Sequence, residues 1–215
     1  MSKLLLVDSS ADLDASVSRQ LTQLFAETWA TADTTNTVVR RDLHRQPPPH
    51  LPHPALHWAP RLRPAQPRVD AGIEALQHEL IDELVSADVV VIGAPMYNWS
   101  VPSTLKAWMD YVHVLGATTP FGDESQPLAG KPAVIVSSRG DQYGPGTANL
   151  DADHTVPPLV LLLEEAFKME VEVITAELTL AATVPELNGF VADAQRSLAS
   201  ARESVVAAAT RLAKS

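Results

Sequence analysis

The chain has 215 residues, 46% of them hydrophobic and 20% charged, with a formal net charge of -10 and a pI near 5.0. An acidic surface repels phosphate backbones and anionic lipid, so nucleic-acid and membrane binding are not expected. The absence of cysteine excludes disulfides, thiolate catalysis and Cys-ligated metal. One globular domain over residues 1–215, with an elaborated loop, is the expectation. No cleavage pattern follows the short apolar run of MSKLLLVDSS and no run is long enough to span a bilayer, so a cytoplasmic location is expected.

The first element is Leu4-Leu5-Leu6-Val7, a continuous apolar run typical of a strand buried on both faces. Val17, Leu21, Leu24, Phe25 and Trp29 then recur at helical spacing, predicting a helix from Ser16 to about Ala30. Thr37-Val38-Val39 reads as a second strand. From Gln46 to Arg68 the rhythm breaks: Pro47, Pro48, Pro49, Pro52, Pro54, Pro60, Pro64 and Pro67 remove backbone donors and forbid a helix or a central strand. So long an excursion is either functional or partly disordered.

Alternation then resumes. A helix is expected over Val69–Ser86, a strand over Ala87–Ala94, a helix from Pro102 to about Leu115 and a strand over Pro132–Ser137. A helix over Leu159–Lys168, a strand over Val171–Leu178 and a long helix from about Pro185 to Leu212 complete the chain. Five strands alternating with helices predict an α/β fold, a flavodoxin-like doubly wound parallel sheet of order 2-1-3-4-5 with helices on both faces. In such sheets a ligand sits beyond the carboxyl ends of the strands, where the order reverses. Three loops meet there, after strands one, three and four.

The first loop offers the hydroxyls of Ser9, Ser10, Ser16 and Ser18 and the free amides of a helix start, a pocket for a phosphate that needs no lysine. Ser16 alternatively only caps the helix. Asp8, Asp12 and Asp14 oppose an anion and must point outward for it to bind. Neither GxGxxG nor a P-loop occurs. The second loop, Pro95-Met96-Tyr97-Asn98-Trp99, offers flat faces and an amide to a planar heteroaromatic ring, or else these aromatics merely cap the sheet. In the third, Ser138 and the adjacent amides can bond a ring edge, Gly140 permits close approach, and Arg139 either pairs with a ligand anion or is solvated. Phosphate, flat ring and polar edge together describe flavin mononucleotide, FMN.

The segment ELIDELVSADVVVIGAPMYNWSVPSTLKAWMDYV, with Ser9–Ser10, Ser16–Ser18, Arg41–Leu43, LAGKPAVIVSSRG and VEVITAE, resembles the FMN-dependent NADH-azoreductases and quinone reductases. The resemblance implies phosphate contacts from Ser10, Ser16, Val17 and Ser18. It places Met96–Trp99 around the flavin ring and Ser138, Arg139, Gly140 and Asp141 at its pyrimidine edge. It further implies NADH or NADPH as co-substrate, ping-pong reduction of a small aromatic acceptor such as a quinone or azo compound, and a homodimer with the active site at its interface. Asn98 and Tyr143 are the candidate catalytic residues.

Four departures stand out. Asp141 replaces a second glycine, and a carboxylate there disfavours an anionic reduced flavin or has its own pKa raised. Thr119-Pro120 replaces an aromatic pair, leaving Phe121 as the lid. Phe167-Lys168-Met169-Glu170 replaces a glycine-bearing turn, and the excursion is rich in proline and histidine. With His50, Trp58, Phe121, Tyr143 and Phe167 expected in the substrate pocket, these departures suggest a re-cut pocket, specialised for a biosynthetic intermediate. His44, His50, His53 and His57 lack metal-ligand spacing, so no metal is expected. The rival readings are a flavodoxin-type electron carrier and a flavin protein turned to non-redox or reductive-elimination chemistry.

Overall fold

A computed structural model describes residues 1–63, 69–122 and 126–214. Five parallel strands form one sheet in the order β2-β1-β3-β4-β5: β1 Lys3–Asp8, β2 Thr37–Asp42, β3 Val89–Pro95, β4 Pro132–Ser138 and β5 Glu170–Ala176. The expected order is therefore the observed one. The central strands β1, β3 and β4 are almost wholly buried, while the edge strands β2 and β5 keep exposed positions. This is why the apolar runs of the central strands are continuous: helices cover both faces.

Alternate residues of β1 divide between the two layers, as a period of two requires. Leu5 and Val7 pack with Leu80, Leu84, Leu105 and Trp108 of α2 (Ala71–Ser86) and α3 (Ser103–Val112). Leu4 and Leu6 pack with Leu21, Phe25, Trp29 and Val205 of α1 (Val17–Ala32) and α5 (Val191–Leu212).

Several boundaries differ from the expected ones. Helix α2 starts at Ala71 because Asp70 Oδ1 accepts from the amides of Gly72 (2.9 Å) and Ile73 (3.1 Å). Helix α3 stops at Val112, where the Thr118 hydroxyl donates to the Val112 carbonyl and accepts from the Val114 amide. The helix expected over Leu159–Lys168 begins earlier, as α4 Val156–Val160, and widens into a π-helix over Leu161–Ala166, where the Phe167 amide reaches the Leu162 carbonyl at 3.0 Å. It ends on Lys168, whose φ of 56° is the left-handed conformation that glycine adopts freely. Before α5, residues Pro185–Phe190 form a 3-10 turn rather than its first turns.

The excursion is built in where it is described. Two short 3-10 turns, Pro54–His57 and Pro60–Leu62, bring Leu56 fully into the interior. Gln77 of α2, itself buried, donates to the carbonyls of Leu56 (2.8 Å) and Tyr111 (3.0 Å). Leu115 donates to the His57 carbonyl and accepts from the Ala59 amide, both at 2.9 Å. The remaining part of that excursion, from Pro64 to Arg68, lies outside the described residues.

Candidate functional site

Beyond the carboxyl ends of β1, β3 and β4 lies a cleft of about 440 Å³. It is lined by Ser10, Asp12, Ala15, Ser16 and Val17 from the first loop, Pro95, Met96 and Tyr97 from the second, and Ser138 and Gly140 from the third. A larger hollow of about 760 Å³, lined by Lys3, His78, Glu79 and Asp82, sits at the opposite end of the sheet, where β1 begins. Ligands of doubly wound sheets bind at the carboxyl edge, so the smaller cleft is the candidate site. One wall escaped the sequence: Thr179, Leu180 and Thr183, in the loop after β5, also line it. Their signal is only position, a polar turn following a strand, which many connectors share.

The first wall is a helix start with free donors. Ser16 Oγ accepts from the Arg19 amide at 3.3 Å, so it caps α1 while also lining the cleft. Ser18 is buried and its hydroxyl pairs with that of Ser16 at 3.1 Å. The amides of Val17 and Ser18 find no acceptor among the described residues, and the first turn of α1 holds no acidic residue. Such a terminus favours an anion through its donors and its dipole.

The three aspartates divide. Asp8 is buried, accepts from the Thr22 hydroxyl at 2.8 Å and lies 3.9 Å from Arg19; burial pushes its carboxyl above the usual range. Asp14 is exposed. Asp12 does not turn away as expected. It lines the cleft, with Oδ1 accepting from the amides of Ala15 (2.8 Å) and Asp14 (3.0 Å), bonds that hold its carboxyl below the usual range.

The second wall is a tight turn. Tyr97 and Ser100 exchange backbone hydrogen bonds at 2.9 and 3.1 Å, and the two residues between, Asn98 and Trp99, both take positive φ, 49° and 66°. Two left-handed residues are the signature of a two-residue type I′ turn; an asparagine suits it and a tryptophan is strained there. Asn98 and Trp99 are exposed at its tip rather than in the cleft lining. Tyr97 reaches across to the first loop: its hydroxyl accepts from the Ala11 amide at 2.9 Å and pairs with Ser10 Oγ at 3.2 Å. Neither expected role of its ring foresaw this bond, which a sequence cannot show.

The third wall is held by Arg139. This residue is not solvated: its two terminal nitrogens are committed to carboxylates of the protein, while its buried Nε has no hydrogen-bond partner among the described residues. It is buried, bonded to Asp153 at 2.7 Å and to Glu177 at 3.3 Å, and stands 6.0 Å from the Tyr143 ring centroid. Glu177 also accepts from the Tyr143 amide at 2.9 Å, and Asp153 from the amides of Thr155 and Val156. Asp141 accepts from the Gln142 amide at 2.8 Å and from Asn149 Nδ2 at 3.2 Å. Tyr143 sits outside the cleft lining, and burial raises its pKa, with Asp141 adding to the rise. At Gly140 an added Cβ would come within 2.7 Å of Leu180 Cδ1, so any larger residue there must displace the exposed Leu180 side chain on the cleft wall.

The expected substrate pocket separates into parts. Trp58 and Phe121 meet edge to face, with ring centroids 5.4 Å apart, and both are exposed. His50 is exposed and does not line the cleft. Phe167 is not a pocket residue: it is fully buried among Leu159, Leu163 and Met169, with its ring 6.1 Å from His113. Its place in the turn before β5 points it into the core, so that departure reshapes packing rather than the pocket. His53 caps the Pro54–His57 turn, accepting from the Ala55 amide through Nδ1. Among the described residues no three His, Asp or Glu side chains are placed to hold a metal.

The cleft fits FMN in the chemistry of its donors: uncommitted amides and serines at one end, apolar Pro95 and Met96 in the middle, and Ser138 beside Gly140 at the other end. Its volume lies in the range of small-ligand sites. Residues 2–201 match the model of a flavodoxin-like fold family. The chain is 44% identical over 207 residues to the FMN-dependent NADH:quinone oxidoreductase of Kineococcus radiotolerans, covering 94% of this chain and 98% of the relative. It is 38% identical to the protein of that name from Frankia casuarinae, covering 99% of this chain and 98% of the relative. The structure of an azoreductase from Bacillus anthracis superposes with a TM-score of 0.80 at 21% identity, covering 98% of this chain and 100% of that one, a likeness of fold. With that extent of identity on this fold, the chain belongs to the family of FMN-dependent NADH:quinone oxidoreductases.

Proposed function

We propose that the protein is an FMN-dependent oxidoreductase that takes a hydride from NADH or NADPH and delivers two electrons to a quinone, an azo compound or a related aromatic acceptor. The observation that carries this is the joining of the serine and amide donors at the start of α1 with Pro95, Met96, Ser138 and Gly140 around one cleft at the β1/β3 switch point. FMN, when bound, supplies the hydride chemistry; the protein orients it and shapes the space in front of it.

The residues divide that work. Ser10, Ser16, Val17 and Ser18 hold the phosphate through hydroxyls and amides. Pro95, Met96 and Tyr97, with the Asn98–Trp99 turn, bound the ring. Ser138 and Gly140, on the cleft wall, bond its polar edge; of the neighbouring positions named for that edge, Arg139 spends its amide on the Ala176 carbonyl and Asp141 stands just outside the lining. No side chain acts as a nucleophile. Tyr143 is unsuited to proton donation from within the cleft, since it does not line it. The acceptor therefore takes its protons from water.

The exposed Trp58–Phe121 pair lies outside the cleft of its own protomer. Exposed aromatic groups of this sort support a homodimer in which each copy completes the acceptor pocket of the other. No helix of the described residues is long and apolar enough to cross a membrane, which suits a cytoplasmic enzyme.

The test is purification followed by anaerobic addition of NADH. The protein is expected to be yellow, to bleach with NADH and to regain its colour with a quinone, with parallel-line ping-pong kinetics. A colourless protein that binds no FMN in calorimetry refutes the assignment.

A further inference from the structure

Arg19 stands behind the phosphate loop. Its Nε and Nη2 donate to the Ser10 carbonyl at 3.1 and 2.7 Å, and Nη1 and Nη2 donate to the two carboxylate oxygens of Asp42 at 2.8 Å each. Asp8 lies 3.9 Å away on the same side, and the arginine side chain is only 16% exposed. Four of the contacts a guanidinium fork can make are therefore spent on the protein. Its guanidinium is paired with Asp42, which Arg45 also contacts at 3.3 Å, and is faced by Asp8.

What it does control is one peptide plane. The Ser10 carbonyl and the Ala11 amide belong to the same planar trans peptide unit, so they point in opposite directions. Drawing the oxygen back to Arg19 aims the Ala11 N–H the other way. There it meets the hydroxyl of Tyr97, a cleft-lining residue, at 2.9 Å, and Ser10 Oγ joins the same oxygen at 3.2 Å. The Tyr97 oxygen thus takes the Ala11 N–H, while Ser10 Oγ, which accepts from the Asp12 amide at 3.3 Å, either donates to that oxygen or accepts from its hydroxyl. With the plane turned over, a carbonyl would face the cleft and repel any phosphate.

We propose that Arg19 is a positioning residue for the FMN phosphate: anchored on Asp42 at the end of β2, it locks the Ser10–Ala11 peptide with its N–H turned onto the hydroxyl of the cleft-lining Tyr97 and Ser10 held on the cleft wall. The proposal rests on the FMN reading above. It goes beyond it by making the fork of Arg19, rather than its charge, the source of phosphate selectivity. Three neighbours of Arg19 contribute at this point: Asp42 anchors it, Asp8 faces it, and Tyr97 holds the far side of the peptide it fixes.

Fluorescence titration with FMN and with riboflavin, which has the same ring and no phosphate, separates the possibilities. Wild type is expected to bind FMN more tightly than riboflavin. Arg19→Gln should lose about tenfold in FMN affinity, roughly 1.4 kcal/mol, the scale of one hydrogen bond to a charged group, while its riboflavin affinity stays unchanged. Arg19→Lys, which keeps the charge and loses the fork, should resemble Arg19→Gln. Asp42→Asn should also weaken FMN, because the fork loses its anchor.

The proposal is overturned if Arg19→Gln weakens both ligands alike, as a general loss of structure would. It is equally overturned if Arg19→Lys binds FMN as wild type does, or if Asp42→Asn tightens FMN, since either result makes Arg19 a counter-ion. Should the Arg19 variants not fold, Asp42→Asn alone still decides between anchor and counter-ion. A wild-type protein that binds neither ligand removes the FMN reading and this proposal together, whereas one that binds FMN while the variants contradict it removes the proposal alone.

Discussion

The first and third walls of the cleft are each secured by one arginine, and both fill loop amides with carboxylates, but the first also contains a helix start. In the third wall, Arg139 gathers Asp153 and Glu177, and these carboxylates, with Asp141, take up the amides of Gln142, Tyr143, Thr155 and Val156. In the first wall, Arg19 grips a carbonyl and a carboxylate behind the loop, and the amides of Val17 and Ser18 stay without acceptors among the described residues. A loop whose donors are filled by its own carboxylates is rigid and offers little to an anion. In the first loop Asp12 likewise takes up the amides of Asp14 and Ala15, and the Tyr97 hydroxyl that of Ala11, so the donors left for a ligand are those at the start of α1. The phosphate end of the cleft is therefore set by what the loop leaves unbonded rather than by the charge it carries.

The largest expected effect tests the rigid wall. Arg139→Met leaves the partly buried Asp153 and Glu177 without their cation, and should cost about 2–4 kcal/mol in urea unfolding, somewhat below the usual penalty for breaking a fully buried ion pair. A cost within that of an exposed pair would show that Arg139 does not hold the wall.

Next, Ser16→Ala removes the α1 cap at about 1 kcal/mol of stability. It should also weaken FMN by about tenfold while leaving riboflavin binding unchanged. Equal losses for the two flavins would contradict the open-donor account of the first wall.

Asp12→Asn should have the opposite sign. It removes the one carboxylate on the cleft wall of the first loop and should tighten FMN by about two- to threefold, the modest gain expected from deleting an exposed, water-screened like charge. The gain should shrink at high salt, and calorimetry at two ionic strengths reads both.

The smallest effect is on pH-dependent stability. Burial raises the Asp8 pKa, so the native state takes up this proton before the unfolded chain does; stability should rise as pH falls from above that value towards 3.8. Burial works against the Asp42 carboxylate too, yet the Arg19 hydrogen bonds and the Arg45 and His44 amides outweigh it, and its pKa is lowered. Its contribution is complete above 3.8 and lost as pH falls through the lowered value. Asp8→Asn should flatten the upper limb of a chemical-unfolding series, and Asp42→Asn the lower.

Much of this was legible in the residues. Leu4–Val7 and Val89–Ala94 announce buried parallel strands because apolar side chains on both faces need cover on both faces. Ser16 before an apolar helical stripe announces a capped terminus. Serines, Pro95–Trp99 and Ser138–Gly140 fell on three loops that the expected strand order brings together, and most of them do line one cleft. The failures share a cause. Arg139 read as solvated or ligand-bound because its partners are 14 and 38 residues away. Phe167 read as a pocket wall because burial in a turn leaves no periodic trace. The prolines of the excursion correctly forbade regular structure, but nothing local shows that Gln77 would fasten Leu56 to the core.

The sequence by itself determined the alternation of strands and helices, the order of the sheet and the family, since these follow from hydrophobic period, capping residues and motifs that neighbours in the chain carry together. Tertiary structure alone decided the direction of the Ser10–Ala11 peptide, the burial of Arg139 and the path of the excursion. Each of these depends on hydrogen-bond partners supplied by distant segments, and a polar group's partner is chosen by proximity in space once the sheet has formed.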